Sequence, residues 1–223
     1  MPDVLPSLLD PFSPAEVLCL YADRFMLSFP DRAIGHFAVP TSSRHVDAAR
    51  LTTLLARCLV GSLVARGRVR LERVECSAWR GGDDVLVRVE PGGDAWPVGS
   101  PEQRLLAWLE AQPVEKRELA EGLYRSFVGW SGRPASPGGA SGVLARLERT
   151  GLTRAVRGRF PWLPAKRPVE VNAAYCQRLS AVSHADVHAR VAPSLQALDH
   201  HLQGLVDRSC EQAIAVDTNS GTL

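Results

Sequence analysis

The chain has 223 residues, 45% apolar and 22% charged, with a formal net charge of +2. That is enough for one domain with a sizeable core, and it excludes binding of polyanions by bulk charge alone. The 26 basic residues include only two lysines, Lys116 and Lys166. Coding bias accounts for such an imbalance; so does a need for bidentate phosphate recognition.

Residues 1–13 read as a loose leader without the basic n-region of a signal peptide. Ser13-Pro14-Ala15-Glu16 has the form of a helix start, with an N-cap, Pro at N1 and acid at N3. The following "VLCLYA" fits a short helix or a buried strand equally well. Residues 28–44 read as irregular. "VDAARLTTLLARCLVGSLVARG" carries Leu51, Leu54, Leu55, Leu59, Leu63 and Val64 at helical spacing, and Gly67 is placed to stop the helix. No apolar run reaches the length needed to span a bilayer. "RVRLERVE" and "DVLVRVEP" then alternate with period two, so the pair predicts a β-hairpin, with Asp83-Asp84 in its turn.

"SPEQRLLAWLEAQ" predicts a helix opened by Ser100-Pro101. "PVEKRELAEGLYRSFVGW" predicts another, with Leu119, Leu123 and Phe127 aligned. Residues 131–142 have linker composition. "VLARLERTG" is a short helix closed by Gly151, and "LTRAVRGR" and "RPVEVN" form two arms of a second hairpin. Residues 172–212 are helical with a break near Pro193, and 213–223 form a polar tail. The expected fold is mainly α: a single helical-core domain, 14–212, with one or two β-hairpins.

Chemistry is sparse. There is no P-loop, dinucleotide-binding glycine pattern, metalloprotease helix or calcium loop, and "VGWSGR" lacks the frame of a nucleophile elbow. His184 and His188 stand four apart on an expected helix, but a third metal ligand is missing, so solvated or capping roles come first. His200-His201 reads as a polar helix face. The five cysteines form no CxxC pair, and Cys19, Cys58 and Cys176 read as small buried hydrophobes. These residues make no positive case for an enzyme, a cofactor or a metal.

Charge is the stronger signal. Residues 57–70 hold Arg57, Arg66, Arg68 and Arg70 with no acid, and 146–167 hold seven basic residues against Glu148 alone. Within the second segment, Phe160-Pro161-Trp162-Leu163 sits between Arg157/Arg159 and Lys166/Arg167. Three readings compete. The aromatics pack inward under Arg stems; or the tip enters a lipid interface with Arg on phosphates; or the hairpin is the wing of a winged-helix DNA binder. An apolar tip has no obvious use beside a DNA backbone, and 131–142 falls where a recognition helix should follow a short turn. Nucleic acid is therefore the weaker partner.

Three stretches together resemble the Golgi phosphoprotein 3 family: "PAEVLCLYAD", "LLARCLVGSLVARGRVRLE" and "ARLERTGLTRAVRGRFPWLPAKRPV". The resemblance implies a mostly helical cytosolic protein, peripheral to membranes, that binds the phosphatidylinositol 4-phosphate headgroup in a basic pocket and self-associates through an apolar hairpin. The family's pocket is not matched residue by residue. Its Trp position falls near Asp47, its helix Arg near Ala56 beside Arg57, and its two later Arg positions in the loop around 137–140. Arg66-Gly67-Arg68 matches a scaffold motif. The expected lipid-binding residues are Arg57, Arg154, Arg157, Arg159, Phe160, Trp162, Leu163, Lys166 and Arg167, the expected partner is an anionic membrane lipid, and 156–169 doubles as a contact between copies.

Overall fold

A computed structural model describes residues 8–31, 36–75, 83–92, 96–128, 153–155, 169–171 and 173–220. It is mainly helical, as the sequence predicts, with seven α-helices and three small antiparallel sheets among these residues. The expected linker 131–142 and the short helix before Gly151 lie outside the described residues.

Helix α1 (Pro14–Leu20) resolves the helix-or-strand ambiguity. Ser13 and Glu16 form a reciprocal capping box: the Ser13 N–H donates to Glu16 Oε2 at 2.8 Å, and the Glu16 N–H donates to Ser13 Oγ. Every residue of α1 is buried. A helix covered on all sides has no polar stripe, so its sequence shows no period to read. The expected leader is partly core, since Leu9 and Phe12 are buried with it.

Residues 28–47, expected to be irregular up to 44, contain a three-stranded sheet: β1 (Ser28–Phe29), β2 (His36–Ala38) and β3 (His45–Asp47), in the order β1-β3-β2. Strands of two and three residues are too short to display alternation.

Helix α2 (Ala48–Ala65) follows at once. Asp47 caps it by accepting from the Arg50 N–H at 2.8 Å. Its end is a Schellman motif: Gly67 takes φ +63°, its N–H bonds Val64 O, and the Arg68 N–H bonds Leu63 O, each at 2.9 Å. By length and a mean hydropathy of 1.4, α2 meets the minimum for crossing a bilayer, contrary to the expectation that no run does. Its apolar residues are buried against protein. Leu51, Leu55 and Cys58 belong to one core cluster with α1 and β3; Ala56, Leu59, Val60 and Leu63 belong to a second. Burying each such Leu contributes roughly 1.5–3 kcal/mol.

The second cluster is roofed by the hairpin β4 (Val69–Glu75) and β5 (Asp83–Val89). Val69 opposes Val89 and Leu71 opposes Val87, as alternation predicts. On the outer face Arg70 opposes Arg88, and each finds an acid: Arg88 pairs with Glu72 and Arg70 with Glu90. Asp83 and Asp84, expected in the turn, open β5 opposite Glu75 and Val74. Helices α3 (Pro101–Ala111) and α4 (Leu119–Val128) complete this side with buried Leu105, Leu109, Leu119 and Leu123.

Strands β6 (Thr153–Ala155) and β7 (Val169–Val171) are the two arms of the second expected hairpin. Helices α5 (Ala173–Ser180), α6 (His184–Gln196) and α7 (His200–Ser220) close the fold. The interruption expected near Pro193 falls at 197–199, between α6 and α7, and Pro193 itself lies in the last turn of α6. The missing N–H falls where one further turn completes the helix, and the Ala197 N–H still bonds Pro193 O at 3.1 Å. The expected polar tail continues α7 as far as Ser220.

The α2–α6 crossing is the tightest constraint. A Cβ on Gly61 would lie 1.9 Å from the Ser194 carbonyl oxygen. Gly61→Ala must push backbone from backbone, and we expect a loss of about 3 kcal/mol or more, at or beyond the upper end of ordinary overpacking. Gly204→Ala, with open space around it in α7, should stabilise by up to about 1 kcal/mol. Urea unfolding of both variants measures the contrast.

Candidate functional site

The expected site divides at the limits of the described residues. Arg157, Arg159, Phe160, Trp162, Leu163, Lys166 and Arg167 lie outside them. The base of their segment is described. Thr153 opposes Val171, Arg154 opposes Glu170 and Ala155 opposes Val169. Residues 156–168 therefore connect two antiparallel strands that adjoin at Ala155 and Val169. Glu170, which follows the basic segment in sequence, stands across the ladder from Arg154. Among the described elements, β6 and β7 pair with each other and make at most slight contact with the rest.

The first basic segment is neutralised in space. Arg57, an expected lipid ligand, is gripped by Asp207 of α7: Nε donates to Oδ1 at 2.7 Å and a terminal nitrogen donates to Oδ2. The pair is about one-third exposed. Arg66 lies over the Trp96 ring, 4.3 Å from its centroid. Arg68 donates to Glu110 at 2.8 Å and to the Glu90 carbonyl at 3.1 Å. Arg70 reaches Glu90. The acids are 20 to 150 residues away along the chain, so a local charge count along the sequence does not register them.

Beneath Arg66 lies a polar junction that sequence reading missed. Glu102, in the first turn of α3, is wholly buried. Its Oε1 accepts from the Ala15 N–H at 3.0 Å and from the Ser62 hydroxyl at 3.5 Å. Among the described residues its Oε2 has no hydrogen-bond partner, and neither does Trp96 Nε1. Burial pushes the Glu102 carboxyl above its ordinary range. The Ser13 hydroxyl, the Ala15 N–H, Glu102's own N–H and the Arg66 charge oppose that shift without cancelling it. In the sequence, Ser-Pro-Glu is an ordinary exposed helix start; only the fold of α1 over it makes the glutamate a core residue.

Nucleophiles and metal ligands are unpromising. Burial raises the thiols of Cys19, Cys58 and Cys210 well above neutrality, which leaves them inert. Cys176, expected to be buried, is half-buried. His184 and His188 stack with rings 18° from parallel, and His188 stacks in turn on Phe25. No group of three or more His, Cys, Asp or Glu among the described residues is arranged to hold a metal. Compared with protein-family models, curated proteins and solved structures, the chain matches none.

The Arg57–Asp207 pair ties α2 to α7. A double-mutant cycle of Arg57→Ala and Asp207→Ala should give a coupling of about 1 kcal/mol, solvent screening at this partly exposed site included. Additive losses in urea unfolding would show that the bidentate geometry adds nothing.

Proposed function

We propose that the protein is a peripheral membrane adaptor that docks on anionic lipid through the basic, apolar-tipped segment between β6 and β7. The observation that carries this reading is the β6–β7 register. Antiparallel pairing at Ala155 and Val169 brings the two ends of the segment together. Arg157/Arg159 on one side and Lys166/Arg167 on the other then flank Phe160-Pro161-Trp162-Leu163 from both directions. Cations around an apolar tip match the layering of a membrane interface, with phosphates outside and acyl chains beneath.

Two further observations support it. The basic residues of 57–70 have partners in acids and in Trp96, and the 146–167 segment is the larger concentration of positive charge in the sequence. Among the described elements, β6 and β7 touch the others only slightly. Each cation near an anionic surface contributes on the order of 1 kcal/mol, so Arg154, Arg157, Arg159, Lys166 and Arg167 give weak electrostatic docking that the apolar tip completes. The lipid class is anionic; phosphatidylinositol 4-phosphate, which the resemblance to the Golgi phosphoprotein 3 family implies, is one such headgroup.

Co-flotation with neutral, phosphatidylserine-containing and phosphatidylinositol 4-phosphate-containing vesicles tests the proposal. Binding to anionic vesicles should fall as salt rises, and Phe160→Ser/Trp162→Ser should reduce it at least tenfold, the loss of about 1.4 kcal/mol or more of burial. Arg57→Ala should leave it unchanged. Equal flotation of the double variant would overturn insertion; no flotation of the wild type on any anionic vesicle would overturn the function.

A further inference from the structure

The junction of α1, α2 and α3 contains a titratable group in an unusual position. Glu102 is wholly buried with one carboxylate oxygen unpartnered. Its other oxygen holds the first turn of α1 through Ala15 and touches Ser62 of α2. Arg66 lies one helical turn beyond Ser62, on the same face of α2. It closes the helix as its C-cap, and its guanidinium rests on the Trp96 ring 4.3 Å away rather than on a carboxylate. Trp96 is buried, and its Nε1–H has no partner, so the Arg66 stack is the one polar contact described at that ring.

The surrounding groups leave Arg66 as the responsive partner. From α1, the nearby titratable residue is Glu16, whose Oε2 is committed to the Ser13 N–H. From α2 they are Arg66 and Cys58, and Cys58 bonds Ser194 of α6. Arg66 is the cation that acts on Glu102. A proton on Glu102 makes its burial tolerable. Loss of that proton leaves a buried carboxylate with one oxygen held by Ala15 and Ser62 and the other without a hydrogen bond among the described residues, which is costly unless a cation reaches it.

We propose that Glu102, Arg66 and Trp96 form a proton-operated latch. With Glu102 protonated, Arg66 stacks on Trp96. When the proton leaves to solvent, Arg66 swings from the ring to the free Glu102 oxygen, and the 96–100 turn that starts α3 loses its anchor. The sign of the linkage follows. The folded protein keeps this proton to a higher pH than the unfolded chain does. The stability due to Glu102 is therefore full below the ordinary carboxyl range and is lost as pH rises through the raised value.

Tryptophan emission tests the latch on the full chain. The difference between wild type and Trp96→Phe isolates the Trp96 signal, followed from about pH 4 to about pH 9. A single transition with its midpoint above the ordinary glutamate value supports the proposal, provided that Glu102→Gln abolishes it. Arg66→Met removes the group that moves, so it should flatten the Trp96 signal as Glu102→Gln does, and a Trp96 transition that persists in Arg66→Met overturns the proposal. A wild-type Trp96 signal that is flat, or a transition that persists in Glu102→Gln, overturns the proposal. Where Glu102→Gln fails to fold by circular dichroism, urea unfolding of Arg66→Met decides: a steeper loss of stability with rising pH than in wild type supports the latch, and an identical profile overturns it.

Discussion

Helix α2 has to be buried on more than one side, and the rest of the molecule is arranged to do that. Its first half packs on α1, β3, α5 and α6, and its second half on the β4–β5 hairpin, α3, α4 and α7. A helix shared by two clusters cannot carry large side chains all round. Where α6 crosses, glycine is required: at Gly61 the neighbouring carbonyl occupies the place of a Cβ. Ala56 and Ser62 are likewise small and buried. The apolar composition that gives α2 the hydropathy of a membrane span is thus the composition of a helix between two cores.

The two glutamates brought into that core, Glu16 and Glu102, are tied to helix ends. Glu16 and Ser13 satisfy each other at the start of α1, and Glu102 reaches from the first turn of α3 to the first turn of α1. Carboxylates favour such places because free N–H groups converge there. Longer ties then join distant parts of the chain: the Tyr21 hydroxyl donates to Leu179 O at 2.7 Å, and Arg190 donates to Phe12 O at 3.0 Å. The N-terminal segment is thereby bonded to α5 and α6, which explains why residues read as a leader lie in the core.

Features that depend on neighbours in sequence were legible. Ser13, Ser100 and Gly67 announced helix ends, and alternation over 69–75 and 83–89 announced a hairpin with the correct inward face. The interruption near Pro193 was legible to within one turn: α6 ends at Gln196 and α7 begins at His200, and Pro193 itself stays in the last turn of α6. Features that depend on distant neighbours were not. The small sheet of β1, β2 and β3 has strands too short for a period. For the site, the arms of the second hairpin were legible from Thr153–Ala155 and Val169–Val171. The partner of Arg57 was not legible, because its acid, Asp207, comes from the last helix.

The same contrast bears on function. A basic segment is available to an anionic partner only in so far as the fold leaves it unneutralised. Residues 57–70 lie on the core helix and the hairpin behind it, and their arginines have partners there: Arg57 has Asp207, Arg66 the Trp96 ring, the largely buried Arg68 has Glu110, and the exposed Arg70 has Glu90. Strands β6 and β7, whose pairing brings together the two ends of the second basic segment, touch the other described elements only slightly, and their register sets Glu170 across from Arg154. A chain with nearly balanced charge can therefore still present a concentrated cationic surface, provided that its other arginines are committed to scaffold. Here the commitment of Arg57, Arg66 and Arg68 makes the hairpin, and not the Arg-Gly-Arg turn, the place to look for an anionic partner.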